Sequence, residues 1–168
     1  RSSDLPMLPI TVTTMTPTGS ERVMSAFGKD VHHVYLPYDL PGAMGRFLDT
    51  VRPKLVIVME TELWPNMIAA LNRRKIPLVI ANARLSDRSA KGYGKLGRFM
   101  RRLLSRITLI AAQTQEDGDR FLQLGLKRGQ LAVTGSLKFD ISVTPELAAK
   151  AITLRRQWAP RRKVWIAT

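Results

Sequence analysis

Short apolar runs alternate along the chain with segments of helical periodicity. The clearest run is Leu55-Val56-Ile57-Val58-Met59, which predicts a strand buried on both faces. It stops at Glu60, Thr61 and Glu62. Trp64-Pro65-Asn66 then open a helix whose apolar positions Leu63, Met67 and Leu71 share a face, with Pro65 tolerated in the first turn. Two carboxylates therefore lie in a strand-to-helix turn. In an open α/β sheet such turns, at the carboxyl ends of the strands, form the crevice where ligands bind.

The same alternation runs through the rest of the chain. Strands are predicted at Ile10–Thr14, Val34–Leu36, Leu78–Ala81, Ile107–Ala111, Leu131–Val133 and Val164–Ala167. Between them, Val23, Ala26 and Phe27 mark a short helix, and Met44, Phe47, Leu48 and Val51 a second. Leu96, Phe99, Met100, Leu103 and Leu104 hold one face of a helix over 90–106, whose start Gly92, Gly94 and Gly97 weaken. Thr114 caps a helix with Glu116 and Asp117 in its first turn and Gly125 past its end. Thr144-Pro145-Glu146 begins a last helix with Leu147, Ala151, Leu154 and Trp158 on one face. Seven strands alternating with six helices predict an α/β fold, a parallel sheet with helices on both faces and right-handed crossovers.

Composition narrows the chemistry. The 168 residues suffice for one core, and no stretch approaches the ~20 apolar residues that a membrane span needs. There is no cysteine, so disulfides and thiolate metal sites are excluded. His32 and His33 are adjacent and point to opposite faces of a strand, so no metal site is expected. Lys and Arg number 27 against 13 acids, giving a net charge of +14 and a pI near 11.1, which favours anionic partners. Half of that charge lies between Arg84 and Arg106, where eight bases meet one acid. Lys91, Lys95, Arg98, Arg101 and Arg102 make that stretch a basic amphipathic surface suited to a membrane face.

Two further turns carry candidate chemistry. Thr16-Pro17-Thr18-Gly19-Ser20 gathers hydroxyls and backbone N–H groups at a helix start, which suits an anion, or N-capping by Thr18 or Ser20. In Thr134-Gly135-Ser136-Leu137-Lys138, a glycine lets backbone approach a ligand and a lysine follows in the same turn. Neither a G-x-G-x-x-G fingerprint nor a P-loop is present.

TTMTPTGSERV at 13–23, METELWPN at 59–66 and TGSLKFD at 134–140, joined by LPYDLP at 36–41 and IPLVIANARLS at 76–86, resemble the bacterial 3-deoxy-D-manno-octulosonic acid (Kdo) transferases of lipopolysaccharide assembly, enterobacterial type. The resemblance implies an inverting, metal-independent and cofactor-free glycosyltransferase of GT-B fold, two Rossmann-like domains facing across a cleft. It implies CMP-Kdo as donor, a phosphorylated lipid A precursor (lipid IVA) as acceptor, and work at the cytoplasmic face of the bacterial inner membrane. Residues 1–163 then correspond to the Rossmann-like acceptor domain without its first strand, and 164–168 to the start of the nucleotide-binding domain. The general base, a glutamate in an S-V-G-E motif, has no counterpart in this chain. Both ends are expected to be cut, since Arg1 stands where an initiator methionine would and VWIA closes the chain without a covering helix. Such a piece alone is expected not to transfer sugar.

By motif, Glu60 and Lys138 correspond to residues that stabilise the transition state. Thr16, Thr18, Gly19, Ser20, Glu62, Gly135 and Ser136 are candidates for substrate binding, and Glu62 has an alternative role as an acid at a helix N-terminus. Two alternatives compete: a basic nucleic-acid-binding α/β domain, for which no recognition motif is present, and a GT-B transferase using another sugar donor.

Overall fold

The computed structural model describes residues 9–137 and 145–158. In chain order these form β1 (Thr11–Thr14), α1 (Pro17–Phe27), β2 (His32–Tyr35), α2 (Pro41–Val51), β3 (Val56–Met59), α3 (Pro65–Arg73), β4 (Leu78–Ala83), α4 (Asp87–Gly94), α5 (Gly97–Leu104), β5 (Leu109–Ala112), α6 (Gln115–Gln123), β6 (Leu131–Val133) and α7 (Pro145–Trp158). The chain divides into two units between Thr134 and Gly135.

In the first unit every strand pairing is parallel and helices cover both sides, as the alternation predicts. The strands nevertheless form two sheets among the described residues, β1-β2 and β3-β4-β5-β6, instead of one. Asp39, just beyond β2, reaches the start of α3, just beyond β3, so the carboxyl ends of both sheets open on the same side. One continuous core joins Met44 and Leu48 of α2, Met67, Ile68 and Leu71 of α3, Leu78 and Ile80 of β4, Met100, Leu103 and Leu104 of α5, Ile110 of β5 and Phe121 of α6.

β3 is not buried on both faces. Val56 and Val58 pack on the core, while Leu55, Ile57 and Met59 are 49%, 57% and 50% exposed. The physical reason is the strand's alternation: Val56 and Val58 point to the face where the core lies, and Leu55, Ile57 and Met59 to the opposite face, on which Val79 and Ala81 of β4 and Leu109 and Ala111 of β5 are also only partly buried. The face of α1 read from Val23, Ala26 and Phe27 is likewise not core; α1 has no buried residue, and Phe27 is exposed.

The basic stretch forms two helices and not one. α4 ends at Gly94, and α5 restarts at Gly97, whose φ of 44° no continuous helix accommodates. The break turns Leu96 and Phe99 outward, 49% and 52% exposed, and leaves Met100, Leu103 and Leu104 as the buried stripe. Ile107 is buried in the turn after α5, so the next strand begins at Leu109. α6 matches its sequence signals: Thr114 accepts from the Asp117 N–H at 3.1 Å, acids fill the first turn, and Gly125 follows with φ 103°.

Of the second unit, the described residues are Gly135–Leu137 and α7, in which residues 149–157 are exposed, Leu154 among them. Lys138, the strand expected at Val164–Ala167 and the domain start at 164–168 lie outside the described residues.

Candidate functional site

β3 and β4 run in register with Met59 opposite Ala81, and the ladder continues through the Glu60 N–H to the Ala81 carbonyl at 2.8 Å. Beyond that point both backbones turn left-handed, Glu60 at φ 62° and Asn82 at φ 55°. Arg52 and Lys75 share this conformation but follow the ends of α2 and α3, where it is an ordinary way to close a helix. Glu60 closes a strand instead. A glutamate held left-handed costs on the order of 1–2 kcal/mol, strain that clusters at functional sites. Its carboxylate is exposed and has no hydrogen bond or ion pair among the described residues.

Thr61 ties the two strand exits together. Its hydroxyl donates to the Arg84 carbonyl and accepts from the Arg84 N–H at 2.9 Å. Gln113, just past β5, extends the tie by donating from Nε2 to the Asn82 carbonyl at 3.0 Å. Glu62 is not an acid in the first turn of a helix: it precedes the N-cap Trp64 by two residues, and its Oε2 accepts from Trp64 Nε1 at 3.0 Å.

The cap of α3 comes from elsewhere in the chain. Asp39 Oδ2 accepts from the Asn66 N–H at 3.0 Å and Oδ1 from the Met67 N–H at 2.8 Å, while Asn66 Nδ2 donates to the Asp39 carbonyl at 2.6 Å. Pro65 has no N–H to satisfy, so one carboxylate takes both exposed donors of the first turn. Asp39 thus fixes the turn that carries Glu60, a role that residue spacing cannot show because the partners are 27 and 28 residues apart.

At the β1 exit the cap is Thr16, neither Thr18 nor Ser20. Its hydroxyl accepts from the Gly19 N–H at 3.1 Å, and α1 begins at Pro17 because proline tolerates the first helical position. Gly19 is closely packed: a Cβ there would lie 3.1 Å from both Thr14 Cβ and Thr16 Oγ1, so those side chains would have to give way by a few tenths of an ångström. Ser20 Oγ lies 3.4 Å from His33 Nδ1, and Thr14 Oγ1 lies 2.9 Å from Nε2, so His33 is held between two hydroxyls. Thr18 is exposed.

The structure therefore brings Glu60 and Glu62 together at β3 and Thr16, Thr18, Gly19 and Ser20 together at β1, in different sheets that open on one side. Gly135, at φ 82°, and Ser136 belong to the second unit. Lys91, Lys95, Arg98, Arg101 and Arg102 are all exposed on α4, α5 and the turn between them, with Leu96 and Phe99 exposed among them. A second polar clamp holds the loop before α4: buried Asp117 accepts from the Leu85 N–H at 2.7 Å, and Arg120 pairs with Asp87 at 2.6 Å. Among the described residues no group of three His, Asp or Glu side chains could hold a metal, and no helix is long and apolar enough to cross a membrane.

A family model described as 3-deoxy-D-manno-octulosonic-acid transferase (kdotransferase) matches residues 2–141. The chain belongs to the Kdo transferase family. It is 52% identical over 164 residues to the 3-deoxy-D-manno-octulosonic acid transferase of Haemophilus influenzae, covering 98% of this chain and 38% of the relative. With the same-named protein of Bordetella pertussis it shares 38% identity over 141 residues, 81% of this chain and 32% of the relative. The chain thus spans about two fifths or less of the Kdo transferases that it resembles. In fold it matches part of the UDP-GlcNAc 2-epimerase of Neisseria meningitidis, a GT-B protein solved bound to UDP-GlcNAc, with a TM-score of 0.56 at 16% identity over 89% of this chain and 44% of that one.

Proposed function

We propose that this chain is the acceptor-side part of a glycosyltransferase that moves Kdo from CMP-Kdo to a phosphorylated lipid A precursor, with inversion and without a metal, at the cytoplasmic face of the inner membrane. The observation that supports it most is the left-handed Glu60, a carboxylate without a partner among the described residues, at a strand exit of a Kdo transferase family member. In this reading Glu60 favours positive charge developing on the sugar. Lys138 favours negative charge on the departing phosphate, where one preorganised group is worth about 3–4 kcal/mol. Thr16, Thr18, Gly19, Ser20 and Glu62 of the first unit, and Gly135 and Ser136 of the second, are the residues assigned to substrate contact in this reading. The general base and most of the nucleotide site are supplied by the rest of the protein. The test is transfer by the full-length protein; no transfer from CMP-Kdo to the lipid would remove this reading.

Among the described residues no strand pairs with the outer edge of β1 or of β3, which supports the expectation of a missing first strand. Val56 and Glu60 donate toward β4, so by the alternation of a parallel ladder the Ile57 and Met59 amides face the unpaired edge. One further parallel strand between β1 and β3 would pair them. Hydrogen exchange checks this: the Ile57 and Met59 amides are expected to exchange fast in the 168-residue chain and to be protected in the full-length protein. Fast exchange in both would leave the edge open.

The basic surface of α4 and α5 is the membrane-facing side in this reading, with Phe99 at the headgroup level. Each base near an anionic surface adds about 1 kcal/mol, so Arg98→Ala with Arg102→Ala is expected to weaken full-length binding to phosphatidylglycerol vesicles by roughly tenfold or more. Unchanged partitioning would make the surface merely solvated.

A further inference from the structure

β4 carries one extra residue relative to β5. Val79 and Ile80 pair with Leu109 and Ile110, but the next pair is Ala83 with Ala112, so the strand bulges between Ile80 and Ala83, where Asn82 turns left-handed. Side chains alternate along a strand, and the core face of β4 begins with Leu78 and Ile80. Without the bulge, Arg84 would fall in phase with them and point into the core. With it, the phase shifts by one: Ala83 and Leu85 are buried and Arg84 is exposed. A bulge beside a strand end re-aims side chains in this way.

Three contacts then hold Arg84 where the bulge puts it. Thr61 takes both its backbone groups, and the Leu85 N–H is anchored on buried Asp117. The acids closest along this loop are already engaged: Asp87 pairs with Arg120, and Asp117 lies 3.5 Å from the same guanidinium. The Arg84 guanidinium has no hydrogen bond or ion pair among the described residues. The Arg84 backbone is hydrogen-bonded to Thr61, the residue that follows Glu60, on the neighbouring strand exit.

We propose that Arg84 is an oxyanion-binding residue of the transfer site, taking a carboxylate or phosphate of a substrate beside Glu60, with Thr61 as the positioning residue. The assignment rests on the transferase reading above. An octulosonic acid carries a carboxylate at its anomeric carbon, and a phosphorylated lipid carries phosphates; a planar guanidinium binds either through two parallel N–H donors.

The test measures dissociation constants of the full-length protein for CMP-Kdo alone and for a tetraacylated glucosamine disaccharide alone, the latter phosphorylated and dephosphorylated. Arg84→Gln is expected to weaken one of the two substrates by roughly 10- to 100-fold, and Arg84→Lys to recover part of the loss, keeping charge without the fork. Thr61→Val is expected to weaken the same substrate, and Thr61→Ser to restore it. Loss confined to CMP-Kdo identifies the donor as the source of the oxyanion. Loss for the phosphorylated disaccharide with none for its dephosphorylated form identifies the lipid phosphate. Equal losses for both substrates, or Arg84→Gln within about twofold of wild type, overturn the role of Arg84. A wild-type protein that binds neither substrate removes the transferase reading and this assignment with it.

Discussion

Glu60→Gln in the full-length protein is expected to lower kcat for Kdo transfer by about 100-fold or more, with little change in melting temperature. The substitution keeps the size of the side chain and removes its charge. Because the carboxylate is exposed and unpaired among the described residues, the fold loses nothing that charge was holding. In the proposed reading both side chains act on charge that develops only in the transition state, so Lys138→Ala is expected to cost turnover comparably. Glu60→Asn separates chemistry from scaffold. Asparagine tolerates the left-handed backbone that Glu60 adopts at φ 62°, so stability is expected to hold or rise by up to about 1 kcal/mol while transfer is lost. A variant more stable and less active than wild type would show that the strain is kept for function. Wild-type turnover in Glu60→Gln would reduce this residue to a strand terminator.

Asp39→Ala is expected to have the largest effect on stability. Its carboxylate accepts two backbone N–H groups of the first turn of α3, at 2.8 and 3.0 Å, and the alanine leaves both without that partner. Losing an N-cap costs typically ~1 kcal/mol, and a charge-assisted hydrogen bond about 1.5–3, so a loss of roughly 2–3 kcal/mol follows. The effect reaches the site, because α3 carries the Glu60 turn at its start and Met67, Ile68 and Leu71 of the core along its length. Denaturant melts of the full-length protein should show the midpoint falling for Asp39→Ala and falling less for Asp39→Asn, whose one amide oxygen can still accept. A midpoint unchanged in Asp39→Ala would mean that water replaces the cap at no cost.

Local signals were legible in the residues, and non-local ones were not. α6 is read correctly because its cap, acids and terminal glycine all lie within one short stretch, from Thr114 to Gly125. The turn of Glu60 and Glu62 is found because a strand of valines and isoleucines stops there. Its cap is missed because Asp39 lies beyond another strand. The β3 run looks buried on both faces, since Leu55, Ile57 and Met59 are as apolar as Val56 and Val58; only the position of the core shows that one face is open. A helix over 90–106 satisfies the apolar periodicity, yet the glycines that weaken it also break it, and the break at Gly97 decides that Phe99 faces solvent. Arg84 is invisible to periodicity for a similar reason: the bulge that turns it outward is a property of the pairing with β5.

The most direct test of the account is a donor comparison with the full-length wild-type protein. It would be incubated with the phosphorylated, tetraacylated disaccharide and either CMP-Kdo or UDP-GlcNAc, and the lipid product weighed by mass spectrometry. The account predicts a mass gain of Kdo with CMP-Kdo and none with UDP-GlcNAc. A product from UDP-GlcNAc, or no product from CMP-Kdo, would contradict it.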